Sequence, residues 1–427
     1  MSGAQRITLV DHVADAVALL GAVRTTEVIP VDGRAVGRVA VREQRALVDV
    51  PGHDNSQMDG FALAARDLQS PGARVMLPLG PTIAAGDEPA ELAPGTARAI
   101  MTGAPIPAGA ELVIPVEESA EGRFTAADEV SETGSAHTVT LTPTSVAAGR
   151  FVRRRGSDTR RGDTVLREGR LLTPARIAHL AACGVGEVEV DVPLRAVVLS
   201  TGSEVQSRAS LAGAAPAPGS LFDANGPGLA AALTEAGAEV VHVGAVPDDA
   251  GALLAHLRRV IQTLNVDLVV TSGGVSMGAF EVVRHAADHD GVTLAFPTVA
   301  LQPGGPQGIG FVEVDGRRVP WLAFPGNPVS ALLSCELIAR PALGAPARRR
   351  LHLPVQLEAE ESSPAALDQY RRARVLPSGR VRLVGGASSH LIGGYAAADA
   401  LVLIPSGTAA VRDGDLLETL LIPGGDS

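Results

Sequence analysis

From residue 195 onward, short and almost wholly apolar segments alternate with helical patterns, and this alternation limits the chain to very few folds. RAVVLS, AEVVHVGAV, VDLVVTSGG, VTLAFPTVAL and PWLAFPG read as strands. Between and after them, GPGLAAALTEAG, DDAGALLAHLRRVIQ, EVVRHAADHD and NPVSALLSCELIARPAL read as helices. A strand that is apolar at every position has no solvent face, so both faces of its sheet must be covered. Strand–helix alternation then predicts a three-layer α/β/α unit around a parallel sheet. In such sheets, ligands bind beyond the carboxyl ends of the strands. Three strands here end in small, turn-forming residues: STGSEV, TSGGVSMG and FPGNP. Exposed amides at the helix starts that follow favour anions, which points to a phosphorylated ligand. Tight turns alone explain any one such loop equally well, and neither GxGxxG after a strand nor GxxxxGK[ST] is present.

Flanking segments differ in texture. Thr8 is placed to cap a helix with Val10, Val13, Ala14, Val17 and Leu20 on one face. Residues 71–145 are rich in Pro, Gly and short β-type runs, which predicts a small β domain. RRRGSDTRRGD reads as a charged connector whose Arg153, Arg154 and Arg155 form a solvated run. LLTPARIAHLAACGVGEVEV reads as a helix with Pro174 in its first turn and Gly184 at its end, then a strand. RASLAGAAPAPGS has low complexity and reads as a surface loop. After about residue 350 helical periodicity vanishes and a small all-β module is expected. The predicted division is 1–50 with 146–190, an inserted β domain at 51–145, the α/β unit at 191–345, and the β module at 350–425.

Charge narrows the function. All 36 basic residues are arginine, and against 47 acidic residues the net charge is −11. That disfavours a general binder of nucleic acid or anionic membranes. Cys183 and Cys335 are far apart without metal-ligand spacing, which suggests reduced core residues of a cytoplasmic protein. The acidic residues in MSGAQRITLVDHVADAVALL argue against a signal peptide. The longest charge-free stretch, VTLAFPTVALQPGGPQGIGFV, contains three prolines and four glycines and does not suit a membrane helix.

Carboxylates fall at the same sheet edge: Glu204, Asp248, Asp249 and Glu281. Hard oxygen donors suit Mg2+, which takes one or two carboxylates plus substrate phosphate. Asp248 also suits a helix N-cap, Glu281 a first helical turn, and Asn327–Pro328 an N-cap followed by proline. Asp59 in NSQMDGFA and the Thr102–Gly103 pair in MTGAPIPAGAE read as site residues or as turn residues.

Taken in order, NSQMDGFA, IMTGAPIPAGAELVIPVE, RRRGSD, LSTGSEV, VPDD, DLVVTSGGVSMG, LQPGGPQG and FPGNPVSALL resemble the bacterial MoeA family of molybdopterin molybdenumtransferases. The E domain of gephyrin is related to that family, and the resemblance spans roughly residues 8–422. It implies a homodimer with an inserted β domain, a MogA-like molybdopterin-binding α/β domain and a C-terminal β barrel. The implied reaction inserts molybdate into adenylylated molybdopterin and releases AMP, with Mg2+ as cofactor and other molybdenum-cofactor proteins as possible partners. By motif, Asp59, Thr102, Asp158 and Glu204 correspond to catalytic positions. Ser272, Gly273, Gly274, Ser276, Pro303, Pro306, Ser330, Arg372 and Ser389 correspond to substrate-binding positions, and Asp248, Asp249 and Glu281 to metal-binding ones. The cleft is expected between the α/β domain of one subunit and the N-terminal part of the other.

One departure stands out. The family pattern KPGKP is QPGGP here, so Gln302 and Gly305 replace two lysines of the anion site. Each lost charge-assisted contact is worth about 1.5–3 kcal/mol. Ser203 likewise replaces an acidic residue. Three outcomes are open: another arginine substitutes, the ligand differs, or turnover is weak. The competing reading is a paralogue that binds a pterin ligand or a partner protein with little insertase activity. An adenylyltransferase of the MogA type would need only the α/β domain.

Overall fold

A computed structural model describes residues 6–88, 90–124, 137–206, 217–276 and 281–424. Its centre is a six-stranded sheet ordered Glu239–Val246, Arg195–Thr201, Leu268–Ser272, Arg317–Phe324, Gly308–Val314 and Val292–Ala295. The first four strands run parallel. Gly308–Val314 runs against both its neighbours, Arg317–Phe324 and Val292–Ala295, which corrects the all-parallel expectation. The cause is a hairpin: Asp315 (φ 51°) and Gly316 (φ 76°) both adopt left-handed backbone, the geometry of a two-residue turn whose twist matches its flanking strands. The Asp–Gly pair carried that signal in the sequence.

Alternation along the buried strands feeds two cores. Ala196, Val198, Leu268, Val270, Leu322 and Phe324 face the helices Leu9–Gly21, Asn225–Glu235 and Pro328–Ser334. Val197, Leu199, Val269, Trp321 and Ala323 face Ala250–Leu264 and Val282–Ala286. Residues 301–302 leave the strand pattern read from the sequence. They pair instead with Asp368–Val375 of the C-terminal module, where five strands close into a barrel.

Thr8 caps the first helix by accepting from the Asp11 N–H at 3.1 Å. The helix is rotated from the expected face: His12, Ala16 and Leu20 are buried, while Val10 and Val17 are 77% and 42% exposed and Ala14 is exposed. Apolar residues surround much of this helix, so periodicity alone could not select the seam; packing against residues 340–342 does. Thr173 caps the Pro174–Ala182 helix, and Gly184 (φ 81°) follows its end.

The chain enters and leaves a five-stranded β body through one neck, where Asn55–Ser56 pairs with Val152–Arg153. The arginine run at the neck is exposed but engaged, not merely solvated. Arg154 pairs with Asp54 at 2.6 Å and Arg155 with Asp49 at 2.5 Å. Residues 208–216 of the low-complexity segment 208–220, and residues 277–278 of TSGGVSMG, lie outside the described residues. Both cysteines are free and buried. Among the described residues, no helix is long and apolar enough to cross a membrane.

Candidate functional site

The glycines of TSGGVS are required first by the chain's own packing. At Gly273 (φ 95°) a Cβ would lie 2.6 Å from Thr201 Oγ1 and 2.9 Å from the Thr201 carbonyl oxygen. At Gly274 (φ 67°) it would lie 2.8 Å from Val282 Cγ1 and 2.9 Å from the Val283 nitrogen. Side chains at either position meet both forbidden dihedrals and occupied space. The turn therefore sits flush between two strand ends and the start of the next helix.

Its amides are not all available to a ligand. The Gly273 N–H donates to the Phe324 carbonyl at 2.9 Å, and the Ser276 N–H to Glu281 Oε2 at 2.8 Å. Among the described residues, nothing accepts from the N–H of Gly274 or Val275. The expectation of a whole loop of free donors narrows to these two.

This turn forms one wall of a cleft of 1260 Å³. Four carboxylates line it: Glu204, Asp223, Asp248 and Glu281. Asp248 Oδ2 accepts from the Ser203 N–H at 2.9 Å, so the serine that replaces an acid holds the neighbouring one. Asp223 Oδ1 accepts from Ser200 Oγ at 2.7 Å and from the Gly226 N–H at 2.9 Å. Asn225 donates to the Gly326 carbonyl at 2.7 Å, while its buried Oδ1 has no partner; the Oγ of Ser272 is likewise buried and unpartnered. Orphaned polar atoms at a sheet edge are costly unless a ligand or water engages them.

The opposite wall comes from the C-terminal module. Ser388, Ser389 and His390 line the cleft, with Ser388 Oγ 2.7 Å from His390 Nδ1. Behind them Arg372 is 1% exposed. Its Nη2 donates to the carbonyls of Gly386 at 2.6 Å and Ser388 at 3.2 Å, whereas Nε and Nη1 have no partner among the described residues. Burial, and then the neighbouring charge of Arg371, depress its pKa below the usual arginine value. Arg371 projects the other way and pairs with Glu361 at 2.6 Å.

The structure thus brings ten of the sequence-derived positions to the cleft: Glu204, Asp248 and Glu281; Gly273, Gly274 and Ser276; Pro303 and Pro306; Ser330 and Ser389. Ser272 and Arg372 are buried without lining it. Asp249 does not line it either; its Oδ1 accepts from the Ala252 N–H at 2.6 Å as a helix cap. Asp59, Thr102 and Asp158 are exposed and do not line the cleft of their own chain. Asp59 Oδ1 holds Thr102, accepting from its N–H at 2.7 Å and its Oγ1 at 2.9 Å.

Sequence reasoning missed Asp223, Asn225, His390 and Arg6, all lining residues. An acid three residues before Gly226 at a strand–helix junction was a legible signal for Asp223. The other three carry no local pattern. Among the described residues, no three His, Cys, Asp or Glu side chains gather into a metal cage. Carboxylates facing one cleft still fit Mg2+, which normally completes its shell with phosphate and water.

Comparison with known proteins accounts for this assembly end to end. Residues 7–184 match the MoeA N-terminal region (domain I and II), 197–345 a probable molybdopterin binding domain, and 354–422 the MoeA C-terminal region (domain IV). Molybdopterin molybdenumtransferase 2 of Mycobacterium tuberculosis is 39% identical over 398 residues, covering 90% of this chain and 92% of that protein. Molybdopterin molybdenumtransferase of Synechococcus elongatus is 34% identical over 391 residues, covering 89% and 91%. A molybdopterin biosynthesis MoeA protein from Pyrococcus horikoshii superposes with a TM-score of 0.73 at 25% identity, covering 98% of this chain and 99% of that one. Every layer of the fold, and both walls of the cleft, lie within these matches: the chain belongs to the MoeA family of molybdopterin molybdenumtransferases.

Proposed function

We propose that this chain inserts molybdenum into adenylylated molybdopterin, taking molybdate as metal source and releasing AMP. The observation that carries the reading is Arg372. A buried guanidinium with two unpartnered nitrogens costs several kcal/mol of desolvation unless an anion offsets it. It lies directly behind Ser388 and Ser389, at the wall of a cleft whose other wall carries the Gly273–Gly274 turn. Molybdate is a tetrahedral dianion; the hydroxyls of Ser389 and Ser330 line the cleft as donors for it, and the charge of Arg372 stands behind them. The free amides of Gly274 and Val275 suit the phosphate end of the substrate.

One or two of the cleft carboxylates Glu204, Asp248 and Glu281 would hold Mg2+ together with substrate oxygens. When bound, the ion supplies neutralisation of the charge on the phosphoanhydride and on departing AMP. The chain's own groups position the reactants. Asp223 fixes the start of the Asn225–Glu235 helix, and Ser203 orients Asp248. We read Asp59, Thr102 and Asp158 as completing the cleft of a second copy, so that the working unit is a cytoplasmic homodimer that exchanges substrate and product with other molybdenum-cofactor proteins. A binding paralogue without turnover is not favoured, because relatives matching nine-tenths of the chain carry the transferase name. The test is molybdate-dependent AMP release from adenylylated molybdopterin by purified protein. Absence of AMP release at saturating molybdate rejects the proposal.

A further inference from the structure

Loss of two lysines beside an anion site demands a physical explanation, and the cleft offers one. Gln302 does not reach freely into the cleft as a cation would; its Oε1 accepts from Gln369 Nε2 at 2.7 Å. Gly305 has little room for any side chain, since a Cβ there would sit 3.2 Å from the Val299 carbonyl oxygen and 3.4 Å from that of Leu301. Among the described residues that line the cleft, the carboxylates number four and the sole guanidinium is Arg6.

Arg6 is fixed at its base and open at its tip. The Ile7 N–H donates to the Thr298 carbonyl at 3.1 Å, and the Ala300 N–H to the Ile7 carbonyl at 2.8 Å. Val299 in turn donates to the Gly305 carbonyl at 2.8 Å, and Thr298 bridges to Pro306. Ile7 is therefore bridged to Val299, and the same 298–299 segment is bridged to the 305–306 loop. Thr298, Gly305 and Pro306 line the same cleft. On the other side, the capped helix beginning at Leu9 pins the segment. Arg6 is exposed, and among the described residues no carboxylate pairs with it.

We propose that Arg6 is the guanidinium that receives a tetrahedral oxyanion in this cleft, supplying from the segment before the Leu9–Gly21 helix the charge that positions 302 and 305 lack. The inference rests on the functional reading above, in which the substrates are a nucleotide phosphate and molybdate. Either oxyanion accepts two parallel N–H donors from a guanidinium, a geometry an ammonium does not offer.

The test measures binding of AMP, adenosine and molybdate to the full chain by calorimetry. It compares the wild type with Arg6→Ala, Arg6→Glu and Arg6→Lys. Arg6→Ala is expected to weaken AMP, molybdate or both by about tenfold or more, as for a lost charge-assisted bond. Arg6→Glu falls further, Arg6→Lys recovers part, and adenosine is unchanged. A loss confined to AMP places the contact on phosphate; one confined to molybdate places it on the metal oxyanion. Unchanged AMP and molybdate binding in both Arg6→Ala and Arg6→Glu overturns the proposal while leaving the functional reading intact. An equal loss of adenosine overturns it too, by revealing a merely structural role. A wild type that binds neither AMP nor molybdate overturns both.

Discussion

Gly273 and Gly237 share a backbone dihedral and differ in surroundings, which makes them a matched pair. Both have φ near 95°, and both belong to the α/β unit. An added Cβ at Gly237 meets nothing within 4 Å, whereas at Gly273 it meets Thr201 Oγ1 at 2.6 Å and the Thr201 carbonyl at 2.9 Å. Alanine at either position incurs the same left-handed strain, of about 1–3 kcal/mol. At 273 the Thr201 hydroxyl must also rotate away, losing its hydrogen bond to the Ser272 carbonyl, worth about 1 kcal/mol. The carbonyl cannot rotate away, because it ends a central strand, and overpacking of that kind adds about 1–3 kcal/mol. Gly273→Ala should therefore be less stable than Gly237→Ala by roughly 2–4 kcal/mol.

Trp321 makes the measurement local. It is the chain's one tryptophan, wholly buried, and its indole N–H donates to Thr271 Oγ1 at 3.0 Å, two residues before the turn. Its emission during urea unfolding reports this unit rather than the flanking β bodies. Midpoints converted with a common slope give the difference directly. If the two variants agree within about 0.5 kcal/mol, a size typical of surface substitutions, the close approach inferred at the cleft wall is refuted.

Two further outcomes follow from the side-chain network. Arg150 hydrogen bonds, reinforced by Thr144, hold the Glu118 carboxyl down at about 2. A depressed carboxylate stabilises the fold above its unfolded pKa, and that contribution, about 2–3 kcal/mol, is lost as pH falls from about 4.5 through 2. Hydrogen-exchange protection in the inserted β body, taken relative to the intrinsic rate at each pH, should fall across that window, and in Glu118→Gln the dependence should flatten; an unchanged profile in the variant would exclude this pair as the cause. Arg372→Gln should weaken molybdate binding by removing the buried positive charge behind the Ser388–Ser389 wall. The check is thermal: molybdate at about 100 times its Kd stabilises the wild type by about 2.7 kcal/mol, and the same concentration should shift the variant far less.

What could be read from residues alone followed the range of the physics involved. Buried strands and capped helices are local, so TSGGVS, Thr8 and the Pro174–Ala182 helix were legible. The side-chain requirement at Gly273 depends on a strand end some seventy residues earlier, and no local pattern encodes it. Asp248 and Asp249 are neighbours with equal credentials in the sequence. Folding separates them, one reaching Ser203 at the cleft and the other capping its own helix. Arg6 precedes a helix and looks unremarkable until Ile7 pairs with Thr298–Ala300. The Leu9–Gly21 helix shows the converse failure: apolar residues on several sides left its buried seam to be chosen by distant partners.

Charge at the cleft sets a condition on any ligand of the proposed class. Among the described residues four carboxylates line it against one guanidinium, with Arg372 held behind the wall. Like charges about 6 Å apart repel by roughly 2–3 kcal/mol at an effective dielectric of 20, so a phosphate dianion facing several of these groups is strongly disfavoured alone. The amides of Gly274 and Val275, without an acceptor among the described residues, cannot offset more than part of that. A divalent cation shared between carboxylate and phosphate reverses the sign of the interaction, because the same acids then recruit the charge that binds the anion. AMP binding should therefore depend on Mg2+ and fall at least tenfold in EDTA. Glu281→Gln should lose much of that dependence by removing one member of the set. AMP affinity that is equal with Mg2+ and with EDTA would show that the carboxylates serve the fold alone, as Asp223 does for its helix, and that the anion is held without them.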